Sequence, residues 1–295
     1  MTVRTVAVLG AGVMGAGIAH ACVTAGWPTA LHDADPEARA RGMARVREML
    51  EGGVARGKLE PASAEAAAGR VRAAGSIREA CRGADLAIEA VVEDAGVKRE
   101  VLAQASDWSN PDALLATNTS SLPVGALAED LPRPGRLVGL HFFNPVPVMR
   151  LVEIVVHDAV EAETLAEARA VVADLGKEAI VVRDTPGFAS SRLGIVLGLE
   201  AIRMLEQGVA SAEDIDRAMV LGYNHPIGPL RLTDLVGLDV RLRVADVLLH
   251  ELGGEQYRAP DLLRRLVAEG KLGRKAGVGF YRWDDRPTSI QQDSA

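Results

Sequence analysis

His141 and Glu153 lie at equal distances along the chain from Pro147. If the two apolar runs that carry them pair as a hairpin centred on that proline, imidazole and carboxylate become cross-strand neighbours. Glu153 interrupts the apolar run Leu151–Val156, and a buried carboxylate needs a partner. Histidine titrates near neutral pH and can take or give a proton. A carboxylate on its other ring nitrogen fixes the tautomer and stabilises the imidazolium. The pair is therefore a candidate general acid/base. A histidine without such a partner is more simply a satisfied structural residue, which is the reading given to His20, His32, His157, His225 and His250.

A second chemical feature lies near the N-terminus. Gly10-Ala11-Gly12-Val13-Met14-Gly15 has the form G-x-G-x-x-G between an apolar β-branched run and a helical one. Gly10 permits a tight turn, Gly12 lets backbone approach a pyrophosphate, and Gly15 lets helix and strand pack closely. The helix N-terminus offers N–H donors and a positive dipole to the anion. Asp33 follows Gly15 by 18 residues, at the end of the next short strand. A carboxylate there hydrogen-bonds ribose hydroxyls and repels a 2′-phosphate, so NAD is expected rather than NADP. The simpler reading of Asp33 is a cap for the helix beginning near Pro36.

These groups need a scaffold, and the hydrophobic pattern supplies one. Short apolar runs read as strands at Thr5–Leu9, Thr29–His32, Val71–Ala73, Leu86–Ala90, Leu114–Thr117, Leu137–His141, Leu151–Val156 and Ala179–Val182, with helical segments between most of them. After Asp184 the strands stop. Helical patterns follow at Ser191–Gln207, Ala212–Leu221, Leu232–Leu252 and Pro260–Ala268, and the polar stretch Asp284–Ala295 is expected to fray. The fold class implied is α/β. Residues 1–183 form a Rossmann-like domain with a doubly wound, mostly parallel sheet that binds the dinucleotide, and 184–295 form an all-α domain.

Composition bounds the alternatives. The 295 residues are 48% hydrophobic and 25% charged, as in a globular chain with a real core, and only 3% aromatic. Lys and Arg number 33 against 40 Asp and Glu, a net charge of −7, which argues against nucleic acid or an anionic membrane as partner. No apolar run reaches membrane-spanning length, and Gly10, Gly12, Gly15 and Gly17 break up the N-terminal run that would otherwise suggest a signal helix. The only cysteines, Cys22 and Cys81, offer no metal-ligand spacing, so no metal site is expected and a reduced, cytoplasmic setting is the simplest reading.

Longer motifs carry a resemblance. LLATNTSSL at 114–122, HFFNPVPVMRLVEIV at 141–155, DTPGFASSRL at 184–193, LGYNHPIGPLRLTDL at 221–235 and LGRKAGVGFY at 272–281 occur in this order behind the glycine loop. Together they resemble the short-form L-3-hydroxyacyl-CoA dehydrogenases, most of all the 3-hydroxybutyryl-CoA dehydrogenases, over essentially the whole chain. The resemblance implies NAD-linked interconversion of (S)-3-hydroxyacyl-CoA and 3-ketoacyl-CoA, with a short-chain substrate. It implies His141 as general acid/base, Glu153 as its partner, and Ser120 touching both the substrate 3-oxygen and the nicotinamide side. Ser120 also follows a strand end, where ligands of open α/β sheets collect, although Asn-Thr-Ser-Ser would pass as a plain turn. By resemblance Glu93, Lys98, Asn118, Asn144 and Lys275 contact the cofactor, and Arg56 and Lys58 fall in the region that meets CoA phosphate. The simpler readings of Glu93 and Lys98 are a helix-start charge and a solvated lysine. Pairing as a homodimer through the C-terminal domain is also implied.

The chain departs from the pattern at Ser191, where many members carry an asparagine associated with the thioester end of the substrate. A shorter hydroxyl there leaves its substrate contact and the preferred acyl chain open. Two other readings remain: a dehydrogenase of the same fold acting on a substrate without CoA, such as L-gulonate or carnitine, and a non-catalytic NAD-binding protein.

Overall fold

The computed structural model describes residues Arg4–Trp283; the polar stretch 284–295 expected to fray lies outside the described residues. The chain forms two compact units, Met1–Phe188 and Ala189–Ala295.

In the first unit the chain runs β1 (Val6–Leu9), α1 (Val13–Thr24), β2 (Thr29–His32), α2 (Pro36–Ala55), α3 (Pro61–Ala68), β3 (Val71–Ala74), α4 (Ile77–Cys81), β4 (Leu86–Glu89) and α5 (Ala95–Trp108). It continues through β5 (Leu114–Thr117), α6 (Val124–Ala128), β6 (Leu137–Phe142), β7 (Leu151–Val156), α7 (Ala162–Asp174) and β8 (Glu178–Arg183). The strands form one sheet in the order β3-β2-β1-β4-β5-β6-β7-β8. All neighbouring pairs are parallel except β6 and β7, which are antiparallel.

Strand alternation explains the two layers. Val6 and Val8 of β1 join Leu31, Ile88 and Leu140 in a core with α1, α2, α3 and α7, whereas Ala7 and Leu9 join Ala87, Leu115 and Val155 in a core with α4, α5 and α6. The inner strands are therefore buried on both faces, as a doubly wound sheet requires, while the edge strands β3 and β8 are partly exposed. The topology reverses between β1 and β4, and the crevice outside their C-terminal ends is where an open α/β sheet takes a ligand. Both cysteines are buried, and burial pushes the Cys22 thiol up to about 12 and the Cys81 thiol to about 11.

The second unit contains α8 (Ser190–Glu206), α9 (Ala212–Tyr223), α10 (Pro229–Val236), α11 (Leu238–Leu252) and α12 (Asp261–Ala268) around its own core, which includes Ile195, Leu199, Leu230, Ala245, Leu248 and Leu263. The periodic run Leu232–Leu252 reads as one helix, but the structure breaks it at Gly237, whose φ is +103°. Apolar periodicity continues across the break; a glycine in that conformation cannot continue a helix. No helix among the described residues is long and apolar enough to cross a membrane.

Candidate active site

The glycine loop joins β1 to α1 directly beneath the crevice. Gly10 has φ +108°, and a Cβ there would run into the Ala90 carbonyl at the end of β4. A Cβ at Gly15 would overlap the Gly10 carbonyl, while one at Gly12 would meet open space. Two glycines thus permit the turn and its packing, and the third keeps the approach to the loop clear. The Ala11 N–H donates to Asp33 Oδ2 at 2.8 Å, so the carboxylate at the end of β2 also pins the loop. Asp33 is not the cap of α2; Asp35 is, accepting from the Glu37 N–H at 2.9 Å. A cleft of about 500 Å³ lies over this region, lined by Gly10, Gly12, Met14, Asp33, Val91 and Val97 among others. Its glycine floor, helix N-terminus and acidic wall fit an adenine dinucleotide. The carboxylate of Asp33, whose Oδ1 also accepts from the Asp35 N–H at 3.0 Å, retains further lone pairs for ribose hydroxyls.

Beside the cleft, β4 and β5 end in a linked set of charges. Lys98 is 1% exposed, and its ammonium sits 2.8 Å from Glu89 Oε1 and 3.2 Å from Glu93 Oε2. Glu89 is fully buried and also accepts from the Val91 N–H at 2.6 Å and the Thr117 hydroxyl at 2.6 Å. Glu93 Oε1 gathers the loop after β5, accepting from the Thr119 hydroxyl (2.6 Å), the Ser120 N–H (3.0 Å) and the Ser121 N–H (3.1 Å). Burial works against the Glu93 charge, but the Thr119 hydroxyl, the Lys98 charge and the Ser120 and Ser121 donors outweigh it and hold the carboxyl below its ordinary range. The stabilisation from Glu93 is thus full above the ordinary glutamate range and is lost as pH falls through its lowered value. Neither simpler reading survives: α5 is capped by Asp94, and Lys98 is not solvated. Asn118 Oδ1 accepts from the Phe142 N–H at 2.9 Å and ties the end of β5 to the end of β6.

At that end stands His141. It faces Glu153 in the antiparallel register of β6 and β7, and its Nδ1 lies 2.7 Å from Glu153 Oε2. A neutral imidazole that donates its Nδ1–H to this carboxylate presents Nε2 as the free base. Glu153 is fully buried and His141 is 7% exposed. The rings of Phe143 and Phe188 lie against the imidazole with centroids 4.6 and 5.6 Å away. Phe188 holds a left-handed φ of 46°.

Of the other candidates, Ser120 is exposed at the Glu93 loop and Asn144 is exposed beyond β6. Arg56 and Lys58 are exposed at the turn from α2 to α3, beside an apolar cleft of about 470 Å³ lined by Leu50, Val54, Pro61 and Ala64. In the second unit, Ser191 lies in the first turn of α8 and Lys275 pairs with Asp239 Oδ1 at 2.6 Å. The remaining histidines have structural environments where contacts define them. His32 and His157 bond backbone carbonyls at 3.0 Å, and burial, with a smaller effect from the Lys177 charge, lowers His20 to about 4. Sequence reasoning missed Glu89. Its signal was present, since a carboxylate ending the apolar run Leu86–Ala90 raises the question asked of Glu153.

Residues 5–185 match the family model for the 3-hydroxyacyl-CoA dehydrogenase NAD-binding domain, and 187–283 match that for the 3-hydroxyacyl-CoA dehydrogenase C-terminal domain. The probable 3-hydroxybutyryl-CoA dehydrogenase of Bacillus subtilis is 40% identical over 286 residues, 97% of this chain and 99% of that one. The 3-hydroxybutyryl-CoA dehydrogenase of Mycobacterium tuberculosis is 41% identical over 95% of this chain and 99% of that one. The crystal structure of (S)-3-hydroxybutyryl-CoA dehydrogenase from Ralstonia eutropha superposes with a TM-score of 0.91 at 39% identity, covering 96% of this chain and 100% of that one. The two family models together take in nearly the whole described chain and the likeness extends to full-length relatives, so the chain belongs to the 3-hydroxyacyl-CoA dehydrogenase family.

Proposed function

We propose that the protein interconverts (S)-3-hydroxyacyl-CoA and 3-ketoacyl-CoA with NAD and NADH, on short acyl chains such as 3-hydroxybutyryl. The observation that carries this reading is the buried 2.7 Å contact between His141 Nδ1 and Glu153, where β6 ends and β7 begins at the ligand-binding edge of a dinucleotide-type sheet. Bound NAD supplies the hydride acceptor. Loss of hydride from the carbinol carbon makes its hydroxyl strongly acidic, so the proton must leave in the same event. His141 Nε2 takes it, and the Glu153 carboxylate stabilises the imidazolium; in reduction the imidazolium returns the proton to the forming alkoxide. Ser120 donates its hydroxyl to the same oxygen, on a loop held by Glu93. Glu93 and Lys98 act at the cofactor's ribose–nicotinamide end, Asn118 and Asn144 line that end, and Lys275 serves the cofactor from the C-terminal unit. Arg56 and Lys58 meet the CoA phosphates.

Substrates without CoA are separated from this reading by a binding test. Acetoacetyl-CoA and CoA are expected to raise the thermal midpoint, whereas L-gulonate and carnitine leave it unmoved. Protection by carnitine or gulonate alone would overturn the assignment.

Cofactor choice follows from Asp33. The two nearby arginines are engaged elsewhere: Arg39 donates to the Asp33 carbonyl at 3.0 Å, and Arg41 lies 3.4 Å from Asp35 and from Glu37. The expected preference for NADH over NADPH is at least about tenfold in kcat/KM, about 1.4 kcal/mol. Equal use of both would remove Asp33 as ribose ligand.

Ser191 is read as the thioester-side contact. Ser191→Asn should shift KM for acetoacetyl-CoA several-fold, a hydrogen-bond difference of about 1 kcal/mol, and leave KM for NADH unchanged. No shift for any acyl-CoA would reduce Ser191 to a helix N-terminal residue.

The protein works in the cytoplasm as a homodimer through its C-terminal unit. Support for pairing comes from the exposed Leu193, Leu221, Tyr223, Leu235 and Val236, apolar side chains that a second copy would cover. Its mass in solution tests this.

A further inference from the structure

Lys177 stands in the turn from α7 to β8, and the pairing of β7 with β8 begins at the next residue, where the Glu178 N–H donates to the Arg150 carbonyl at 2.8 Å. The Lys177 ammonium donates to two backbone carbonyls, Val146 at 2.6 Å and Met149 at 2.7 Å. It forms no ion pair among the described residues, whereas Lys98, Lys271 and Lys275 each meet a carboxylate. Burial holds the ammonium below the ordinary lysine range. A half-buried cation matched only by neutral carbonyls is costly for stability, which sets Lys177 apart from a lysine kept for a surface ion pair.

The carbonyls it gathers belong to the connection from β6 to β7, residues 143–150, which joins His141 to Glu153. Of residues 144–149 only Val146 is buried, at 2% exposure. Its side chain fills the place where Gly17 of α1 lacks one. A Cβ on Gly17 would lie 2.9 Å from both Cβ and Cγ2 of Val146, closer than packed carbons approach. The Pro145 carbonyl accepts from the Val148 and Met149 N–H groups at 2.9 and 3.0 Å, which closes the connection into a compact turn. The turn is thus seated twice, on α1 through Gly17 and on the α7–β8 turn through Lys177.

The helix α1 is also the one whose N-terminus faces the dinucleotide cleft. Gly17 follows Gly12 by five residues, about 7.5 Å along the axis. At the start of the connection the Phe143 ring lies against the His141 imidazole, with centroids 4.6 Å apart. One helix therefore offers its head to the cofactor phosphates and, less than two turns further on, seats the loop that abuts the imidazole.

We propose that Gly17 and Lys177 are positioning residues for the reaction: by seating loop 143–150 they fix the distance between bound dinucleotide and the His141 imidazole. This rests on the reading of His141 as the proton-transfer group, and deepens it by naming what sets the imidazole's place relative to the cofactor.

The test is the first-order rate constant for oxidation of enzyme-bound NADH by saturating acetoacetyl-CoA in a single turnover, read by stopped flow. That constant does not depend on the fraction of a preparation that is active, so a partly folded variant still reports it. Misplacement by about 1 Å costs about 10²-fold in rate. Lys177→Met, which releases both carbonyls, should lower the constant by about tenfold or more, and Gly17→Ala, which crowds Val146, by about threefold or more. The Kd for NADH should stay within about threefold in both, because the glycine loop and Asp33 are untouched. Lys177→Arg keeps a cationic donor and should recover most of the rate. The double variant should lose less than the product of the two losses, because both act on one loop. Rate constants within about twofold of wild type in both single variants overturn the proposal. So does a double-variant loss equal to that product, which separates the two residues. So does a loss of rate matched by an equal loss of NADH affinity, which makes them cofactor-site residues. If the wild-type protein gives no turnover at all, the underlying ketoacyl-CoA reading fails first.

Discussion

His141→Ala is expected to lower kcat for acetoacetyl-CoA reduction by about 10²–10⁴-fold, the range for a general acid/base. NADH affinity should change little, because the imidazole stands at the end of β6 and contacts Glu153, Phe143 and Phe188, none of them part of the glycine loop or the Asp33 wall. Stopped-flow kinetics with a parallel NADH titration measures both quantities. A variant that retains more than a third of wild-type kcat would remove His141 from proton transfer. Glu153→Gln should lose less, since an amide still positions the ring but cannot stabilise the imidazolium, and its pH profile should move to lower pH.

The second large effect concerns stability. Lys98→Met removes the cation between Glu89 and Glu93 and leaves Glu89 charged with no counter-ion, at 0% exposure. Breaking a buried pair from one side costs about 3–5 kcal/mol, which urea denaturation would report as a lowered midpoint. Adding Glu89→Gln should return a large part of that loss, because the two residues share one interaction. If Lys98→Met is as stable as wild type, the pair does not hold the end of β4. The same variant should raise KM for NADH, since Glu93 would lose the charge that keeps it on the Ser120 loop.

The sequence made some parts of this site legible because their geometry is local. The spacing of His141 and Glu153 about Pro147 gives their register as soon as two flanking strands pair, and strand pairing follows from alternation. The glycine loop is legible for the same reason: turn, strand and helix are contiguous. Lys98 is different. Its partners Glu89 and Glu93 lie close in sequence, but whether the ammonium turns outward to solvent or inward depends on β5 lying beside β4 and bringing Thr117 and Thr119 to the same edge. No local pattern encodes that neighbour. Lys177 is equally opaque, since a lysine in a surface turn ordinarily faces water, and the carbonyls that hold it lie 31 and 28 residues earlier. The break at Gly237 was readable in principle, but Leu232–Leu252 keeps its apolar spacing through the glycine, and periodicity masked it.

The proposed reaction couples NADH oxidation to reduction of a 3-ketoacyl-CoA at His141 and Glu153. The most direct measurement is the loss of NADH absorbance when purified wild-type protein meets acetoacetyl-CoA. Saturable turnover in both substrates is expected, with NADPH a poor replacement. Binding of NADH with no oxidation by acetoacetyl-CoA or any longer 3-ketoacyl-CoA would contradict it, and would leave a dinucleotide-binding protein in place of an enzyme.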